Sequence, residues 1–163
     1  MKTFLRILLY LTFVVWLGGE IFFPFTAAVS FETLSPHVAL PGTIVGHLIR
    51  ILHNMGLIAG LIAVILLALA LRTRLYRASR AFAPMVLLLI MLAATAYSQY
   101  HIIPAMERDR IATGGAIDAV PPTNAHRFHF NKLHNRSELV EEAILLLGLA
   151  TVVLVARAET NRA

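Results

Sequence analysis

The chain has 163 residues, 58% of them hydrophobic and only 14% charged, with a formal net charge of +5. A soluble domain of that length carries nearer a quarter charged residues, so the composition argues for a membrane protein. Cysteine is absent, which excludes a disulfide framework, a thiolate metal site and covalently attached c-type haem.

The mean hydropathy is +0.75. In such a chain a basic excess reports orientation in the bilayer, not nucleic-acid binding. Neither a Gly-rich phosphate loop nor a G-x-S-x-G elbow is present, and no segment repeats.

The first apolar run spans about 4–24, with Lys2 and Arg6 at its start and Gly18, Gly19, Glu20 and Pro24 towards its end. A cleaved signal peptide is the competing reading, because Thr26-Ala27-Ala28 loosely resembles a cleavage site. Glu20 and the bulky Phe22-Phe23-Pro24-Phe25 argue against it. A short loop without Lys or Arg follows, from about Thr26 to Pro41. The second span, about 42–71, is polar in its outer third and uninterrupted from Met55 to Leu71. Arg72, Arg74, Arg77 and Arg80 form a basic turn. The third span, about 82–103, stops before Pro104, and a polar loop is expected from Ala105 to about Thr123. The fourth helix is expected to start near Asn124, to span about 130–157 and to end near Arg157. The expectation is an all-α, polytopic membrane protein: one four-transmembrane-helix bundle over residues 1–163, both termini cytoplasmic, in the cell inner membrane.

This threading puts all seven histidines on one side: His37, His47, His53, His101, His126, His129 and His134. Carboxylates join them there. The apolar stretch Ala143 to Ala156 covers roughly 21 Å at 1.5 Å per residue. A hydrocarbon core is about 30 Å thick, so Glu141, Glu142 and Glu138 dip into its outer edge, and Glu20 lies inside it. The spacings gather these groups into stripes. His47, Arg50 and Asn54 share one helical face, as do His134, Glu138 and Glu141, and as do Trp16, Glu20 and Phe23. Tyr97 and His101 are an i, i+4 pair. Such stripes suit a bundle interior better than lipid.

A polar outer pocket is therefore expected from Glu20, His47, Arg50, His53, His101, His134, Glu138 and Glu141. One use is metal or haem handling, with His47, His53, His101, His134, Glu138 and Glu141 as ligands and a divalent metal or haem b as the cofactor. The Glu-x-x-His motif of di-metal bundles is missing. The favoured use is a non-catalytic module, either a small-solute or proton-linked transport element or an assembly partner, in the bilayer and with a second copy or another membrane protein. An enzyme is disfavoured, because no nucleophile–base pair stands out. Plainer roles compete at each position. Glu20 and Arg50 could form a structural ion pair, and His37, His126 and His129 could be interfacial or loop residues. Lys132, Arg136 and Glu142 read as solvated charges, and Gly56 and Gly60 as a close-packing pair.

Trp16-Leu17-Gly18-Gly19-Glu20-Ile21-Phe22-Phe23, Pro41-Gly42-Thr43-Ile44-Val45-Gly46 and the F-x-x-L-H-x-x-S run from Phe130 to Ser137 together resemble the transmembrane protein 205-like family. That resemblance implies a four-helix membrane fold without an established biochemical activity. More distant similarity, at fold level, extends to the copper-resistance D group and to the haem-b-binding membrane protoporphyrinogen oxidase. The chain departs from the family pattern at Glu141, where an amide is common, and in its His-rich second helix.

The orientation is directly testable. A reporter fused after Ala163 should be active only if it works in the cytoplasm, and activity of a periplasmic reporter there would reverse the threading.

Overall fold

The computed structural model describes residues 2–34 and 39–160. His37 lies outside them. The described residues form helices and turns, without a strand. α1 runs Lys2–Leu34, α2 Leu40–Arg72 and α3 Ala78–Tyr97. A π turn, Ser98–Ile102, leads without a break into α4, Ile103–Ala112, and α5 runs Ala125–Thr160. Four helical rods result, each long and apolar enough to cross a membrane. The protein is a multi-pass membrane protein.

The rods are longer than the apolar runs suggested. α1 continues past Pro24 to Leu34. Pro24 only removes the N–H that would reach the Glu20 carbonyl, and beyond it Thr26 and Ser30 donate their hydroxyls back to the Phe22 and Thr26 carbonyls. Much of the loop expected from Thr26 to Pro41 is thus helical. The loop expected from Ala105 is helical to Ala112 for a related reason. Pro104 lies directly after the π turn inside a continuous helix, where it removes one N–H from a ladder that the turn already interrupts. α5 begins where its cap places it: the Asn124 side-chain oxygen accepts from the backbone of His126 at 2.9 Å and Arg127 at 3.3 Å. A 33-residue helix is roughly 50 Å long, so each rod outruns a hydrocarbon core of about 30 Å.

α1 packs on α2, α2 on α3, α3 on α5, and α5 returns to α1. The core is apolar and layered, with Leu9, Phe13, Trp16, Leu67, Leu88, Met91, Ile144 and Val155 all buried. Lipid has no hydrophobic preference to drive helices together, so close backbone approach matters more. Trp16 lies in a notch made by Gly56 and Gly60, and Gly148 makes room for Leu17 and Met91. α1 therefore supplies the central knob of the core, and the segment around Thr26-Ala27-Ala28 is helix interior.

The two ends differ. At the arginine end Tyr76 Oη donates to Glu159 at 2.7 Å, and Arg6 faces Glu159 at 3.5 Å. Burial, and then that hydrogen bond, push the Tyr76 hydroxyl well above the usual tyrosine range. At the histidine end the rods project together as a polar helical stem.

A methyl group at Gly60 would overlap the Trp16 ring and Leu92, whereas one at Gly18 meets nothing within 4 Å. Gly60→Ala should therefore cost about 1–3 kcal/mol despite the better helix propensity of alanine. Gly18→Ala should be neutral or stabilising. Thermal unfolding of both variants in mild detergent checks this.

Candidate functional site

The expected outer pocket divides into two parts: a packed polar knot, and a set of exposed residues that do not join it. The knot lies on all four rods. Glu141 of α5 is its centre. Its Oε1 takes His53 Nε2 of α2 at 2.9 Å and the Ser98 hydroxyl of the π turn at 3.0 Å. The other ring nitrogen of His53 meets the Gln99 side-chain oxygen at 3.1 Å, and Gln99 Nε2 donates to Asn54 Oδ1 at 3.2 Å. On α1, Trp16 Nε1 donates to Glu20 Oε1 at 3.2 Å. Glu20 is buried and close enough to Glu141 and His53 to feel both charges.

Helical arithmetic sets the depth. Glu20 is 18 residues from Lys2, His53 is 19 from Arg72 and Glu141 is 16 from Arg157. At 1.5 Å per residue each lies roughly 24–28 Å from the arginine end. The knot thus occupies the far edge of the hydrocarbon layer. The apolar core seals it from the arginine side.

The π turn explains how α3 contributes two adjacent groups. A wide turn admits one extra residue, and Ser98 is fully buried while Gln99 is half-buried beside it. Both face the knot.

The hydrogen-bond directions constrain the protons. Gln99 presents its oxygen to His53, because its nitrogen is committed to Asn54. His53 Nδ1 therefore carries a hydrogen. A second proton occupies the gap between Nε2 and Glu141, on the nitrogen if the carboxylate is ionised and on the oxygen if it is not. Glu141 Oε2 is buried and has no hydrogen-bond partner.

The remaining candidates lie elsewhere. His47 is exposed and turns back to its own helix, with Nδ1 donating to the Thr43 carbonyl at 2.8 Å. His101 is exposed, its ring 5.7 Å from that of Tyr97. His134 and Glu138 face each other at 3.3 Å on the outside of α5. Arg50 makes no ion pair with Glu20: the Glu20 carboxyl turns to Trp16 of its own helix and towards His53. The six expected metal ligands therefore do not converge. They meet only in two separate pairs, His53 with Glu141 and His134 with Glu138, and both His53 nitrogens are occupied. Among the described residues no three His, Cys, Asp or Glu groups are arranged to hold a metal ion. The described donor set gives no support to a divalent metal site.

Sequence reasoning missed a second cluster in the stem. Asp109 of α4 is buried and accepts from His126 Nδ1 at 2.9 Å and His129 Nδ1 at 2.6 Å, both on α5. Beside it Arg110 clamps Glu107 and reaches the Thr43 hydroxyl of α2. The i, i+3 spacing of His126 and His129 was the available signal, but their partner lay in a segment expected to be loop.

A family model described as "Domain of unknown function (DUF4149)" matches residues 11–110. The chain belongs to this family. The matched region carries Trp16, Glu20, His53, Ser98 and Gln99, and stops short of α5 and Glu141. It supports an uncharacterised membrane family and gives no support to the transmembrane protein 205-like or copper-resistance D resemblance. No curated protein and no solved structure matches the chain.

The knot should behave as a coupled unit. His53→Leu and Glu141→Leu each leave a buried partner unsatisfied, so the double variant should lose less stability than the sum of the singles, by about 0.5–3 kcal/mol. Glu20→Gln and Arg50→Gln should add to within about 0.5 kcal/mol. Unfolding in detergent measures both cycles.

Proposed function

We propose that this protein is a non-catalytic, proton-linked transport element of the cell inner membrane, with both termini and the arginine turn in the cytoplasm. The observation that carries the reading is His53. It is fully buried and hydrogen-bonded through both nitrogens, one of them to an intramembrane carboxylate. Ionisable groups inside a bilayer are costly and characteristically mark proton relays or substrate paths. Imidazole is the side chain whose charge changes near neutral pH. Glu20 and Glu141 flank it, so a proton lost from one site has an acceptor close by.

The knot also favours a switch over an open channel. Loss or gain of a proton alters bonds that tie α2, the π turn and α5 together. The dry core below it requires helix movement before a proton could reach the arginine side. Pro24 on α1, Pro84 on α3 and the π turn beyond it are places where helical bonding is already interrupted.

The single tryptophan reports on the site, because Trp16 donates to Glu20. Its emission should shift as pH is varied across about 5–8, where histidine titrates. The shift should vanish in His53→Gln and persist in His134→Gln. In proteoliposomes carrying an internal pH dye, Glu141→Gln should abolish the proton flux shown by the wild type. Flat emission together with absent flux in the wild type would sink the reading.

A further inference from the structure

The strongest feature that the polar knot does not use is at the opposite end. Between the end of α2, the start of α3 and the two terminal turns of α1 and α5 lies a basin. Its rim carries Lys2, Arg74, Arg77 and Arg80. Its floor is apolar, formed by Leu71, Leu75 and Ala158. Among the described residues no carboxylate lines it. Glu159, on the neighbouring turn of α5, is committed to Tyr76 and Arg6. Lys2, Arg74 and Arg77 make no ion pair among the described residues.

The backbone singles out one of these cations. α2 ends in a Schellman turn: Arg74 N–H bonds the Leu71 carbonyl at 3.0 Å, and Leu75 N–H bonds the Ala70 carbonyl at 2.7 Å. The residue at its left-handed position is ordinarily glycine. Here it is Arg74, with φ 52°. A side chain kept where it strains the backbone points to a use for that side chain.

We infer that this basin is a binding site for the phosphate headgroup of an anionic lipid in the leaflet that the arginine end faces. Clustered cations between helix ends suit a phosphodiester. The apolar floor suits the glycerol and first acyl carbons beside it, and gives lipid an advantage that a free phosphate ion lacks.

Native mass spectrometry and a lipid titration in neutral detergent test the site. Wild-type protein should retain one phosphatidylglycerol, bind phosphatidylcholine far more weakly, and lose affinity as salt rises. Arg74→Gln with Arg77→Gln should weaken phosphatidylglycerol binding about thirtyfold. Arg72→Gln, outside the basin, should leave it unchanged. Arg74→Gly should weaken binding and yet raise the melting temperature by about 2–4 °C, because the strain is relieved. Equal binding of phosphatidylcholine, unchanged binding in the double variant, or a lower melting temperature in Arg74→Gly would overturn the assignment. Inorganic phosphate competing as well as the lipid at equal concentration would show a free-ion site and overturn it too.

Discussion

A bilayer offers no water to a polar group, so each one inside the bundle has to be answered by another. Glu141 is the group on which that constraint falls hardest. One of its oxygens accepts from His53 of α2 and from Ser98 of the π turn. Three rods are thereby tied at a single atom. Glu20 brings the fourth into range, and Trp16 links Glu20 to the glycine notch on α2. The packing of the apolar core and the placement of the polar groups are consequently one problem with one solution. Moving Trp16 out of its notch would disturb the Glu20 carboxyl as well.

The four rods were legible in the sequence because their signal is compositional. Long apolar runs, set off by arginines on one side only, need no knowledge of partners. Rod length was less legible. Pro24 and Pro104 look like stops, but Pro24 removes a single N–H from the interior of α1 and Pro104 stands beside a π turn, and both helices continue past them. The site was legible in part. The depth and stripe arguments set Glu20, His53 and Glu141 in one outer pocket, and the structure brings these into one cluster. They could not say which residue of a stripe points inward. His47, His134 and Glu138 end up facing outward, although Glu141 on the stripe of the last two joins the knot, because a stripe fixes a direction on one helix and not the position of its neighbour. Ser98 and Gln99 were overlooked because neutral side chains carry no charge signature, although they orient the two that do.

The ends of the molecule use charge differently. At the histidine end, Asp109, His126 and His129 pair with one another across α4 and α5, and Arg110 satisfies Glu107. Positive and negative groups there are matched and hold the stem together. At the arginine end the acids are few, and one of them is occupied by a tyrosine. The first arrangement builds structure. The second leaves a surplus of positive charge facing outward.

The π turn has a consequence for the phase of everything beyond it. An α-helix advances about 100° per residue, so the extra residue accommodated within Ser98–Ile102 fixes the azimuth of the whole following segment. Inserting one further residue just after the turn would swing Ile103–Ala112 by about 100° around its axis. Asp109 would then face away from the two imidazoles, and Arg110 away from Thr43, without a single side chain in either cluster having been altered. A single-residue change in helix register, not a substitution, is the smallest edit that could dismantle the stem.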